Sequence, residues 1–357
     1  MCGVLKQTVT RVQLGLSTAL CGLAALATCG GGSQTADNQD RKHTIRIALH
    51  GDGLEGDRVG VTAFAQVVES LSVDRIVVEV NHGGRSCGDA DGCVAAVQTG
   101  RIDVYQATVD DLAAVFPELQ VLDVPYLFES DLVVERVFEG PFYTRVRDAI
   151  LERTGLRLMA VSHGGGWRNI ASTTYEVRDP DDARGLTFRT VDSPIQIELT
   201  RALGATPRVV PRTKVSAALT DGVIQGATTG ILEIASVDPD GHFEHLTLDR
   251  HSYMMALWLM NDAAYEAFPG DVRQIVRGGF DELRRLTFAF PNEGETEALA
   301  AFEARGGHLQ TPTPSERRAF VMAAGRVSTW FMEKYGSEWL VWLEEAIAAA
   351  EQVREAP

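Results

Sequence analysis

Three stretches of the chain hold residue types that do chemistry at recognisable spacings. Gly51, Gly53 and Gly56 follow an apolar alternating run and spell GxGxxG, the pattern whose backbone amides cradle a pyrophosphate at a helix N-terminus. Asp52 and Glu55 stand inside it and would set like charge against the phosphates, so the segment reads as a flexible loop at the mouth of a cleft. His163 to Gly166 reads HGGG, the oxyanion element of esterases, which needs a nucleophile elbow opposite it; no elbow is expected here. HExxH and P-loop strings are absent and the eight histidines are scattered, so neither a metal nor a cofactor is implied. The third stretch holds Cys87 and Cys93, and its reading depends on where the protein resides.

The N-terminus sets the compartment. Lys6 and Arg11 head an uncharged run from Val12 to Thr28 that is too short and too rich in small residues to span a bilayer, and it predicts a signal peptide over residues 1–28. Leu26, Ala27, Thr28 and Cys29, with glycines following, resemble the lipobox at which bacterial lipoproteins are acylated and cleaved; Thr28 departs from the usual Gly, Ala or Ser. Cys29 is therefore the expected lipidation site, and the polar residues 29–42 the expected tether, reaching about 20 Å at roughly 5–6 Å × √n. The product is periplasmic and held to a membrane by its lipid, with ordinary cleavage to a free protein as the competing outcome. Cys2 and Cys21 leave with the leader, which leaves Cys87 and Cys93 as one pair in an oxidising compartment. They are expected to form a disulfide that pins the loop Arg85 to Gly92.

The chain is 45% hydrophobic and 23% charged over 357 residues, with a net charge of −16. That is globular composition at about two domains. An acidic surface repels nucleic acid and anionic lipid, so any anion bound here must be held by a few recessed arginines. The elements that would position such arginines alternate. Ile45, Ile47 and Leu49 read as a strand, Phe64, Val67, Val68 and Leu71 as a helix face, and Ile76, Val78 and Val80 as a second strand. A helix from Asp91 to Gly100 and a strand from Ile102 to Tyr105 follow. Further strands are expected at Leu156 to Ser162, Thr187 to Val191 and Thr206 to Val210. Ser193 and Pro194 open a helix that Gly204 closes, Thr213 is placed to cap the next, and Pro314 to Val353 reads as all helix. The pattern implies an α/β fold on a mainly parallel sheet, with ligands at the carboxyl ends of the strands.

Several segments resemble the DctP-type substrate-binding proteins of TRAP transporters. They are Asp179 to Thr190 (DPDDARGLTFRT), Ser193 with Pro194, Ala202 to Pro207 (ALGATP), Ala217 to Leu219, and Gly222 to Gly226 (GVIQG). Gln98 to Val104, Val124 to Phe128 (VPYLF) and Leu259 to Phe268 (LMNDAAYEAF) are similar to flanking family segments. The resemblance implies a two-domain, periplasmic-binding-protein-like α/β architecture with the ligand cleft between the domains and a helical C-terminus. It places residues 43–165 with 254–293 in domain I, 166–253 with 294–335 in domain II, and a final helix over 336–357. The function implied is capture of a small organic acid for delivery to the subunits of a sodium-driven membrane permease, without catalysis and without nucleic acid.

The resemblance also assigns residues. Arg189, on the strand leaving the GLTFR turn, would pair the ligand carboxylate, a match to the planar guanidinium fork. Arg168 corresponds to a second family arginine, and Trp167 beside it walls the pocket or fills a core. Opposite them, His50, Asp52, Asn81, His82 and Tyr105 are first-domain candidates, Asn81 and His82 foremost. After the helix that ends near Gly222 this chain departs from the family: Gln225 replaces an aspartate, and Ala227, Thr228 and Thr229 replace the usual polar pattern, so Gln225, Thr228 and Thr229 are expected to read the rest of the ligand by different chemistry. Pro291, with Asn292 and Gly294, falls where the family runs one long helix, so that helix is broken there or its boundaries have moved. Two other readings stay open, an exported α/β enzyme and a binding protein serving a sensor or an ATP-driven importer.

Overall fold

The computed structural model describes residues 42–50, 53–81, 86–289 and 291–355, all within the unit Arg41–Pro357. The leader, the tether with Cys29, Asp52 and His82 lie outside the described residues. In chain order the first half holds β1 (His43–Ala48), α1 (Glu55–Leu71), β2 (Ile76–Asn81), α2 (Ala90–Gln98), β3 (Val104–Ala107), α3 (Asp131–Val137), α4 (Pro141–Thr154) and β4 (Leu156–Ser172). Then come β5 (Thr187–Thr190), α5 (Pro194–Ala202), β6 (Thr206–Val209), α6 (Val215–Thr220), β7 (Gly226–Gly230), α7 (Ile231–Val237) and β8 (His245–Asn261). The chain continues through α8 (Asp262–Glu266), α9 (Gly270–Ala289), α10 (Pro291–Ala304), β9 (His308–Gln310), α11 (Pro314–Tyr335) and α12 (Glu338–Glu355).

The strands form one sheet in the order β2-β1-β3-β8-β4-β7-β5-β6, with β9 added to β8. The expected parallel pairing holds in the flanks, where β1 runs with β2 and β3, and β5 with β6 and β7. The centre differs. β4 and β8 pair antiparallel along their length, and each is antiparallel to its outer neighbour. These two 17-residue strands belong to both lobes: β8 meets β3 near Met260, while β4 meets β7 only from Arg168 onward.

β4 was expected to stop at Ser162 because four residues of HGGG look like a loop. It runs on to Ser172 because the glycines build a bulge, with the register to β8 shifting between His163 and Gly166. Gly165 and Gly166 take φ of 126° and 72°, and a Cβ on Gly164 would stand 2.5 Å from the Ala256 nitrogen, so two strands can pass here only without side chains.

One face of the sheet carries a single apolar core, built from β3, β4 and β8 with α2 to α5 and closed by Phe320 and Phe331 of α11 and Leu343 of α12. The other face carries two separate cores. Ile45, Ile47, Phe64, Val68, Trp258 and Phe280 fill one; Ala227, Ile231, Ile234, Phe243, Leu246 and Phe302 belong to the other. Full burial of each such side chain stabilises by about 1.5–3 kcal/mol. α9 packs on α1 in the first lobe and α10 on α7 in the second. The helix expected to break near Pro291 ends at Ala289, and Pro291 starts a new one, as suits a residue lacking an N–H. Pro194 likewise starts α5 after Ser193, and a capping box of Thr313 and Glu316 starts α11. Thr213 does not cap α6. It lies in a 3-10 turn, Arg212–Lys214, and the helix begins after Lys214. Cys87 and Cys93 are bonded to each other.

Candidate ligand-binding site

The carboxyl ends of β1, β3, β5 and β7 bring charged side chains of both lobes together. Arg189 sits one residue from the end of β5, only 6% exposed. Its Nε donates to the Val210 carbonyl at 3.1 Å. Among the described residues no hydrogen bond or ion pair engages its terminal nitrogens. Burial, opposed by Glu233 and reinforced by Arg168 and Arg212, brings its pKa below the ordinary arginine value, to about 10.

Arg168, on β4, is also buried. Nη1 donates to the Thr228 carbonyl at 3.3 Å, and Nη2 stands 3.8 Å from the Asp110 carboxylate in the turn after β3. Glu233, on α7, accepts from Arg212 at 2.6 Å and from the Thr229 hydroxyl at 3.2 Å. Burial pushes its carboxyl up, but Arg212, Arg168 and Arg189 hold it below the ordinary value. From the first lobe, His50 follows β1 with Nδ1 3.1 Å from both the Asp111 carboxylate and the Tyr105 hydroxyl. Burial disfavours its charged form, yet Asp111 and, more weakly, Glu233 raise its pKa. Asp111 accepts from Tyr105 and from the Thr108 amide, each at 2.9 Å, and stays below its ordinary pKa against the effect of burial.

Buried arginines, one with its fork unengaged among the described residues, suit an anion. Residues 58–334 match the family described as bacterial extracellular solute-binding protein, family 7. The chain belongs to that family. A solute-binding protein of Verminephrobacter eiseniae is 27% identical over 316 residues, 88% of this chain and 89% of its own length. The 2,3-diketo-L-gulonate-binding periplasmic protein YiaO of Escherichia coli is 22% identical, over 86% and 89% of the two chains. Among solved structures, the sugar acid binding protein DctPAm of Advenella mimigardefordensis, in complex with galactonate, superposes with a TM-score of 0.79 at 20% identity, over 87% of this chain and 99% of that one. The fold is thus the two-domain fold of periplasmic TRAP solute-binding proteins, with helices at the C-terminus.

In this family 7 protein the residues singled out from sequence fall into three groups. Arg189, Arg168 and Thr229 converge, joined by His50 and Tyr105. Thr228 contributes its carbonyl. Trp167 alternates with Arg168 and packs away from it, its ring edge-on to Tyr253 at 5.0 Å, under Arg250 at 4.2 Å, and with Nε1 donating to Asp131 at 3.3 Å. Gln225 stands at the opposite end of β7 from Thr229. Its amide is taken by the Thr187 N–H at 3.0 Å and the Gly222 carbonyl at 2.8 Å, bonds that tie the start of β5 to the turn before β7. Asn81 ends edge strand β2 with its side chain exposed.

Asp110, Asp111, Arg212 and Glu233 were missed. The adjacent acids after β3 offered a signal, since a strand's carboxyl end is where ligands gather; Glu233 offered none, being one acid on a short helix. A GxSxG string does occur at Gly84 to Gly88, contrary to expectation. Its fourth residue is disulfide-bonded Cys87, and Ser86 lies between β2 and α2, well short of the helix, rather than on a sharp strand-to-helix turn. HGGG itself is the β4 bulge.

Proposed function

We propose that this protein is the extracytoplasmic receptor of a TRAP transporter, which closes its two lobes on a small organic acid and delivers it to a sodium-coupled membrane permease. The observation that carries the reading is Arg189: a buried guanidinium with its Nη pair unengaged among the described residues. Burying such a charge is costly unless a partner arrives, and a carboxylate offers two oxygens at the spacing of the fork. Arg168 and Arg212 add positive field. His50, Tyr105 and the adjacent acids come from the first lobe, so a ligand on Arg189 touches both lobes and its binding favours closure. The names of the relatives support an anion: one binds a diketogulonate and one structure holds galactonate.

Residues 43–165 with 254–293 and 166–253 with 294–335 serve as the two moving bodies, and acylated Cys29 keeps the receptor at the membrane. Titration of the purified protein with organic acids, beside Arg189→Ala, tests the reading. Truncating one member of a buried charged pair costs about 2–5 kcal/mol, so the variant should bind tens to thousands of times more weakly. Equal affinity in parent and variant would end the assignment.

A further inference from the structure

The turn that carries α1 into β2 sets a valine where the backbone favours glycine. α1 is capped by Ser72, and Val73 and Asp74 follow with φ of 53° and 58°. The Val73 amide donates back to the Ser70 carbonyl at 3.2 Å and the Asp74 amide to the Glu69 carbonyl at 3.1 Å, so the turn closes the helix as glycine or asparagine usually does. A β-branched side chain in the left-handed region is strained. Val73 is also 82% exposed, so packing within the chain does not offset the strain. Its neighbours are of the same kind: Leu71 is 61% exposed and Val77, near the start of β2, 39%. Leu71, Val73 and Val77 thus all face outward at one end of the first lobe. A residue that strains the fold and gives it little contact points to a partner outside it.

The same turn receives the N-terminal strand. The His43 amide donates to the Arg75 carbonyl at 2.7 Å, and β1 pairs with β2 from His43 opposite Ile76 and Thr44 opposite Val77. The segment that leads from Cys29 therefore joins the body beside this turn. That segment reaches about 20 Å, and a body of residues 41–357 has a radius of gyration of about 20 Å, so an anchored chain brings this end to the bilayer and holds the opposite end away from it. Around the turn Glu69, Asp74 and Asp271 outnumber Lys42 and Arg75, whose guanidinium is bound to Asp271 at 2.6 Å. These charges disfavour anionic headgroups and leave a zwitterionic interface as the apolar surface the turn can enter.

We propose that Leu71, Val73 and Val77 form a tip that dips into the surface of a zwitterionic bilayer and, together with the lipid on Cys29, sets the orientation of the receptor on its membrane. The proposal rests on the reading of Cys29 as acylated. Tethering supplies the affinity that so small a patch lacks alone, because a short flexible linker holds the tip at a local concentration of about millimolar.

The test uses the full chain acylated on Cys29, in phosphatidylcholine vesicles, with an environment-sensitive fluorophore on Val73→Cys and, as control, on Met322→Cys, which is 81% exposed on α11. Cys87 and Cys93 are bonded to each other and take no label in the absence of reductant. Quenching by lipid spin-labelled near the headgroup should be at least about twofold stronger at position 73 than at position 322. Val73→Gly, read from a label on Val77→Cys, should lower the quenching at position 77 by about twofold, while the leaderless form of Val73→Gly melts no lower than the parent body, since glycine accepts the left-handed turn. Equal quenching at positions 73 and 322 overturns the proposal and leaves the Cys29 anchor standing. Quenching that appears only when permease subunits share the vesicle gives the tip to a protein partner and also overturns it. A Val73→Gly body that melts lower than the parent overturns it too, because packing within the chain then accounts for the valine. Intact mass is read first: a purified chain without lipid fails the Cys29 reading itself, and this proposal with it.

Discussion

Replacing Arg189 by methionine separates the cost of the site from its use. Methionine fills much the same volume without charge, so the change leaves packing nearly intact. The fall of the guanidinium pKa from its ordinary value to about 10 corresponds, at about 1.4 kcal/mol per factor of ten, to a penalty of roughly 3 kcal/mol for holding the charge in the unliganded fold. A base whose pKa is lower in the folded than in the unfolded state destabilises the fold wherever it is charged. The penalty is therefore in force at all pH values below about 10 and fades only as pH rises beyond it. Methionine also removes the bond to the Val210 carbonyl, worth about 1 kcal/mol. The unliganded variant should thus be more stable than the parent by about 2 kcal/mol, a rise of several degrees in Tm for a chain of this size. With the bound acid at about a hundred times Kd the parent gains roughly 2.7 kcal/mol and the variant nothing, so the order of the two melting curves reverses. Differential scanning calorimetry with and without the acid reads both effects. A variant that melts below the unliganded parent, or that responds to the acid as the parent does, refutes the argument that Arg189 is a buried charge awaiting its partner.

Asp123 titrates in the folded state at about 8, far above its unfolded value, so the folded protein binds the extra proton and stability falls as pH rises from about 4 to about 8; Asp123→Asn should flatten that decline in urea unfolding measured at pH 5 and pH 8, and an unchanged slope would count against it. Gly166→Ala places a side chain at a φ of 72° and brings Cβ to 2.8 Å from the His163 ring and closer still to the Glu295 carboxylate, so a loss of about 1–2 kcal/mol is expected by chemical denaturation. Reducing Cys87–Cys93 opens a loop spanning a separation of 6 residues, and the chain-entropy relation gives a loss of about 2 kcal/mol; an unchanged Tm in reductant would show that the loop is held by other contacts.

The flanks of the sheet were legible because their signals are local. Ile45 and Ile47 alternate, Phe64 and Val68 recur at helical spacing, and Pro194 and Pro314 stand where a missing N–H is harmless. Arg189 was legible through its motif. The centre was not. β8 carries Asp249, Arg250 and His251 between two apolar stretches, and a window containing them does not alternate; Asp249 and His251 are nonetheless fully buried, bonded to each other and, for Asp249, to the Tyr126 hydroxyl at 2.7 Å. The HGGG run misled in the same way, since glycine marks loops and close strand passage alike. Gln225 was assigned a ligand by its position in a motif, whereas strand direction decides its role: it lies at the wrong end of β7. Asp110, Asp111 and Glu233 matter only because distant segments meet around them, and no local pattern records that meeting.

The nesting of the two lobes has a consequence for how the molecule comes into being. β3 finds its neighbour β8 only after some 150 intervening residues have been made, by rough count of chain length, and those residues include all of β5, β6 and β7. Until β8 arrives, β3 presents an open edge, and open edges recruit other strands. α12, which packs on α3 and α4, comes last of all. Contacts so far apart in sequence close slowly, so a newly exported chain passes through a period in which neither lobe is complete, since the second also waits for β8, α10 and β9. That interval, more than the finished fold, is where a holding chaperone would find its surface.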